Sequence, residues 1–87
     1  MFYVYILYDG KKFYIGGTSN LKRRLSEHKV GKVKSTKNRK TLKLVFYEAY
    51  INKDDAGRRE RYFKTTKGKR SLKLILKETL RRYCGVV

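Results

Sequence analysis

Three groups of side chains in this sequence have types and spacings that could do chemistry: the tyrosines Tyr5 and Tyr14, the pair Arg24 and His28, and the acid Glu60. The tyrosines lie in two runs rich in β-branched and aromatic residues, Phe2 to Tyr8 and Lys11 to Gly16. Asp9-Gly10 joins them, a favoured pair for a hairpin turn. With Asp9-Gly10 at the turn centre, Tyr5 lies opposite Tyr14; with Gly10-Lys11 there, Tyr14 faces Leu7 instead. Strand alternation puts both tyrosines on one face of the sheet in either register. Taken alone, such a pair is ordinary strand packing, to which tyrosine is well suited.

Leu21, Arg24, Leu25 and His28 follow the i, i+3, i+4, i+7 pattern of one helix face. Leu21 and Leu25 must face the sheet, so Arg24 and His28 are carried at the edge of the core, one turn apart. The ordinary fate of such an arginine is to reach out to solvent or to stack on a tyrosine. Lys22 and Arg23 point the other way and read as surface charges available to a phosphate backbone. Glu60 is one of only 7 acids and is flanked by Arg58, Arg59 and Arg61. Its helical neighbours Ala56 and Phe63 are nevertheless apolar. A salt bridge to a nearby arginine is the simplest role for it. A hard cation such as Mg²⁺ is another, because one carboxylate and several waters suffice to hold it.

These residues need elements to position them. The two runs form a strand hairpin, after which Gly16-Gly17 is expected to release the chain into a loop. Ser19 or Asn20 caps a helix from Leu21 to about Lys29. Leu42 to Tyr50 reads as a third strand with Leu42, Leu44 and Phe46 on one face. Asn52 or Asp54 starts a second helix running to about Lys67, with Gly68 marking its end. A third helix begins at Ser71, with a stripe of Leu72, Ile75, Leu76, Leu80 and Tyr83. The order β-β-α-β-α-α predicts an α+β fold, a three-stranded antiparallel or mixed sheet with helices packed on it. At 87 residues, one domain spanning 1–87 is expected.

Composition sets the partner. The chain has 24 Lys+Arg against 7 Asp+Glu, a formal net charge of +17. An excess of that size repels itself in a compact fold and suits a polyanionic partner. Nucleic acid is the expected one, since each phosphate neutralised releases condensed counterions; an anionic membrane surface is the other candidate. Residues 31–40 carry almost no apolar side chain and read as an exposed basic loop, in which Lys32, Lys34, Lys37, Arg39 and Lys40 are candidate phosphate contacts. The single cysteine, Cys84, excludes an internal disulfide and a multi-cysteine metal site. No run has transmembrane length or the form of a signal peptide, so a cytoplasmic location and no membrane association are expected.

Together, Tyr3-Val4-Tyr5, Tyr14-Ile15-Gly16 and Asn20 to His28 resemble the GIY-YIG nuclease family, and in particular its small stand-alone bacterial proteins. The spacing agrees as well as the residue types: Arg24 lies ten residues after Tyr14, and His28 four further on. Ala56-Gly57-Arg58-Arg59-Glu60 is similar to the family segment whose glutamate binds metal. The resemblance implies a GIY-YIG nuclease fold with Tyr5, Tyr14, Arg24 and His28 as catalytic residues. It implies that one of the two tyrosines helps deprotonate the attacking water, that Arg24 stabilises charge on the scissile phosphate, and that His28 lies near the reacting groups. Glu60 would hold one Mg²⁺ or Mn²⁺ ion per site. A tyrosine with its ordinary pKa of about 10 is a poor base, so a positive field from Arg24, or from Lys12, is expected to lower it.

The implied activity is metal-dependent endonucleolytic hydrolysis of DNA in repair or recombination. Lys12, Lys22, Arg23 and Arg59 join the basic loop as candidate nucleic-acid contacts. DNA is expected ahead of RNA. No zinc-finger or helix-turn-helix pattern is present, so low sequence specificity is expected, or specificity supplied by a protein partner. Two positions depart from the family pattern. Tyr3 stands where the first motif has Gly, and Ser71, Leu72 and Lys73 stand where many active members place an Asn. The alternative is therefore a catalytically weak nucleic-acid-binding module on the same fold. A basic RNA-associated protein is a third reading.

Overall fold

The computed structural model describes residues 1–31 and 42–83. Its elements are β1 (Phe2–Tyr8), β2 (Phe13–Thr18), α1 (Leu21–Lys29), β3 (Lys43–Tyr50), α2 (Lys53–Phe63), α3 (Thr66–Ile75) and α4 (Lys77–Tyr83). The fold is α+β, with a fully antiparallel sheet in the order β2-β1-β3. The most apolar strand, β1, is the central one. Its residues Val4 to Tyr8 are all buried because neighbours cover both edges and helices lie on both faces.

The hairpin adopts the second of the two registers, with Leu7 opposite Tyr14 and Tyr5 opposite Gly16. Asp9 fixes it by accepting the backbone N–H groups of Lys11 and Lys12, both at 2.8 Å. Gly10 takes the left-handed φ of 97° that the bend requires. Gly16 and Gly17 do not end the strand: β2 runs on to Thr18, which pairs with Tyr3.

Alternation along β1 divides the work between the two faces. Val4 and Ile6 meet Ala56, Phe63, Leu72 and Leu76 in the principal core, which belongs to α2, α3 and the turn before α4. Tyr5 points the other way, towards α1. A bulge between Ile6 and Leu7 breaks the expected pattern in β3. Phe46 stays opposite Ile6, while Leu44 comes opposite Leu7 on the α1 side. The expected single face of Leu42, Leu44 and Phe46 therefore does not exist.

The helical region also differs from expectation. Gly68 does not end a helix but lies buried inside α3. A side chain there would run into the backbone carbonyl of Tyr62, so glycine allows α3 to fold back closely on α2. The break falls at Lys64-Thr65, where the Thr65 hydroxyl caps α3 by accepting the Gly68 N–H. A second break at Leu76 separates α4. Hence the order is β-β-α-β-α-α-α, one helix more than the periodicity predicts.

Candidate active site

Each element delivers its site residue for a local reason. Asn20 caps α1 by accepting the Arg23 N–H at 3.0 Å, which fixes the helix phase. That phase turns Arg24 and His28 onto the Tyr5 side of the sheet. The Tyr5 ring crosses the floor left by Gly16, where any Cβ would collide with the phenol. Its hydroxyl sits 2.8 Å from His28 Nε2 and receives Arg24 Nε at 3.3 Å. Arg24 is held from behind by Glu27, 3.1 Å from Nη1.

Glu60 arrives from the opposite face. On α2, which packs against the core side of the sheet, its Oε1 occupies the space that a Cβ on Gly17 would fill. Its Oε2 accepts Lys64 Nζ at 3.0 Å. The two adjacent glycines thus admit two side chains from two faces at the exposed edge of β2. There, Tyr5, Tyr14, Arg24, His28 and Glu60 line one cleft of about 460 Å³, joined by Lys64 and Lys69.

The two tyrosines differ. Tyr5 is 2% exposed and bonded on both sides. Burial raises its pKa, and this outweighs the opposing pull of Arg24. The expected lowering by a positive field is therefore reversed, because desolvating a phenolate costs more here than one guanidinium restores. Burial, and then the Arg24 charge, lower the pKa of His28. A neutral imidazole faces a protonated phenol. In the tautomer that carries its proton on Nδ1, His28 Nε2 can accept the Tyr5 proton while the Tyr5 oxygen accepts from Arg24. The Tyr14 hydroxyl has no hydrogen-bond partner among the described residues and opens onto the cleft.

The remaining candidates are dispersed. Lys12 lies in the hairpin loop, and Lys22 borders a shallow hollow with Tyr3 and Tyr47 on the α1 side. Arg23 is exposed on α1. Arg59 lines none of these clefts: it forms a two-pronged pair with Glu48 at 2.9 and 3.2 Å and lies 4.4 Å from the Phe63 ring centre. Lys32, Lys34, Lys37, Arg39 and Lys40 lie outside the described residues. Lys64 and Lys69 are additions that the structure makes to the cleft. Lys64 follows Glu60 by four positions and so shares its helix face, a legible signal. The place of Lys69 depends on the α2–α3 break.

A divalent cation fits the residues present. Among the described residues no group of three or more His, Cys, Asp or Glu forms a cage. Glu60 alone offers a carboxylate in a cradle that only glycine leaves open, and such a donor suits Mg²⁺ or Mn²⁺ completed by water and phosphate. No helix among the described residues is long and apolar enough to cross a membrane.

Comparison with known proteins places the chain in a family. The family model of the GIY-YIG catalytic domain matches residues 1–73. The UPF0213 protein CPE1444 of Clostridium perfringens is 37% identical over 83 residues, covering 93% of this chain and 89% of the relative. The UPF0213 protein SH2523 of Staphylococcus haemolyticus is 39% identical over 75 residues, covering 84% and 92%. No solved structure gives a significant match. With a catalytic-domain match over most of its length and relatives of similar size, the chain belongs to the GIY-YIG family, a family of nucleases.

Proposed function

We propose that this protein is a metal-dependent endonuclease that hydrolyses phosphodiester bonds in DNA with low sequence specificity, acting in repair or recombination. The observation that carries the reading is the convergence of Tyr5, Tyr14, Arg24, His28 and Glu60 on one cleft at the β2 edge. A phosphodiester seated there meets Arg24, whose guanidinium stabilises charge on the phosphate as water attacks phosphorus. The Tyr5 oxygen takes the water's proton while its own proton passes to His28 Nε2. This route avoids a free tyrosinate, which the raised pKa of Tyr5 disfavours. The imidazolium that forms is the proton reservoir for the leaving oxygen. Tyr14 offers its unengaged hydroxyl to a phosphate oxygen. A divalent cation held by Glu60 supplies Lewis-acid stabilisation of the developing charge when bound.

The alternative, a binding module with little catalysis, draws support from the segment where many family members carry Asn. Here Ser71 is bonded to the Tyr62 hydroxyl at 2.7 Å and Leu72 is buried in the core. One assay separates the two. The protein and Glu60→Ala are incubated with single-stranded, duplex and branched DNA in Mg²⁺ or Mn²⁺. Metal-dependent cutting that the variant loses is expected. Binding without cutting of any substrate, or equal cutting by the variant, overturns the nuclease reading.

A further inference from the structure

On the other side of Gly17 and Glu60 lies a second cleft, of about 540 Å³, continuous with the site because both residues line it as well. We propose that it is a backbone subsite, taking the sugar-phosphate of the nucleotide next to the one whose phosphodiester is cut. This rests on the nuclease reading and adds to it the path of the strand.

Two independent features support the assignment. The first is charge. Lys53, Arg58 and Arg61 line the cleft alongside Asp54. Arg58 pairs with the exposed Asp55 at 3.2 Å, whereas neither Lys53 nor Arg61 has a carboxylate partner among the described residues. Two uncommitted cations beside a carboxylate site suit a second phosphate, attracted there without competing for the first.

The second feature is Gly57, in the interior of α2 on the wall of this cleft. Glycine is a poor helix former, so its presence there calls for a reason. Backbone conformation does not supply one, since the positive φ values among the described glycines belong to Gly10 and Gly31. Nor does packing. A Cβ at Gly57 would meet only the far end of the flexible Arg61 side chain, at 3.4 Å, whereas one at Gly68 would strike backbone. What glycine does at position 57 is keep the cleft wall level with the helix backbone, so that a sugar-phosphate can lie against α2.

These features predict effects of opposite sign, which structural damage would not produce. Gly57→Ala in the whole chain should raise Tm, by roughly 4 °C. The same variant should weaken binding of a fluorescent single-stranded DNA oligonucleotide, measured by anisotropy in EDTA, about threefold to tenfold. Arg61→Ala should lower the slope of log affinity against log salt by about 0.7, the loss of one single-strand phosphate contact. Lys73→Ala, an equal loss of charge on α3 outside both clefts, should change binding less than Arg61→Ala. Unchanged affinity in Gly57→Ala, or equal effects of the Arg61 and Lys73 substitutions, overturns the subsite alone. A wild-type protein that binds no oligonucleotide overturns the subsite together with the nuclease reading.

Discussion

The two faces of the sheet are built on different physics. On one, Val4, Ile6, Phe63 and Leu72 are almost wholly excluded from solvent, and three helices enclose them. On the other, among the described residues, lies α1, a helix of nine residues none of which is buried. Its link to the sheet runs through the Tyr5 hydroxyl to Arg24 and His28, with the Tyr5 and His28 rings packed edge to face. Burying apolar area is what stabilises a small domain, and α1, with no buried residue of its own, adds little to that total. The difference teaches where chemistry can be placed. The α2–α4 face holds the fold, and the α1 face is free to carry groups chosen for reactivity. Glu60 crosses from the first to the second only at the β2 edge, through the space that Gly17 leaves.

The sharpest way to break this division is to exchange its consequences. Phe63→Ala removes a fully buried ring that also packs on Phe46. It should cost about 3–5 kcal/mol of stability, seen as a large fall in the denaturant midpoint. Tyr5→Phe keeps the ring over Gly16 and removes only the hydroxyl. It should cost about 1 kcal/mol of stability yet lower cleavage about 100-fold or more. If Tyr5→Phe unfolds the protein as Phe63→Ala does, the α1 face is structural and the division fails.

Much of this was legible in the sequence because local rules and global packing agree there. The Leu21–Arg24–Leu25–His28 stripe after Ser19-Asn20 places α1 from Leu21 to about Lys29, and of the two candidate caps it is Asn20 that caps the helix. The alternation of β1 and β2 puts Tyr5 and Tyr14 on one face in either turn register, so the choice of turn did not matter. Sequence and structure part where glycine or an extra residue serves a distant partner. Gly68 follows a periodic run and looks like a helix stop, but its reason is the Tyr62 carbonyl. Gly16 and Gly17 look like a loop, but they are strand residues that make room for Tyr5 and Glu60. The bulge in β3 has no local signature, since Leu44, Val45 and Phe46 are all good strand residues. The sign of the Tyr5 shift depends on depth of burial, which spacing does not reveal.

The polar face should also answer to pH where the apolar face does not. His28 is the only histidine in the chain, so any histidine titration is its own. Unfolded, it takes up a proton at about 6.5. Folded, burial and then Arg24 hold its pKa lower. Between the two values the unfolded state binds more protons, so stability rises with pH through that window and falls as pH drops through it. Chemical denaturation between pH 5 and about 7.5 should show this slope, and His28→Gln should flatten it. Cleavage should fall over the same acid range, because a protonated imidazole no longer accepts the Tyr5 proton. An identical pH slope in His28→Gln would mean that this face does not couple to the fold.

The smallest effect expected concerns the single contact on which the crossing between faces closes. Lys64 Nζ lies 3.0 Å from Glu60 Oε2, and the pair is partly open to water, at 54% and 28% side-chain exposure. Exposed pairs of this kind contribute little to stability, so Lys64→Ala should leave the denaturant midpoint nearly unchanged. Its consequence lies in competition. An ammonium on one carboxylate oxygen opposes a cation that needs the same group. Lys64→Ala should therefore bind Mn²⁺ more tightly than wild type by about two- to fivefold, read by calorimetry without DNA. Once Glu60 is engaged elsewhere, the freed Lys64 would face the cleft and its phosphate, so the same variant should bind metal better but DNA more weakly. Tighter metal with unchanged DNA affinity would confine Lys64 to guarding the carboxylate; unchanged affinity for both would remove it from the site.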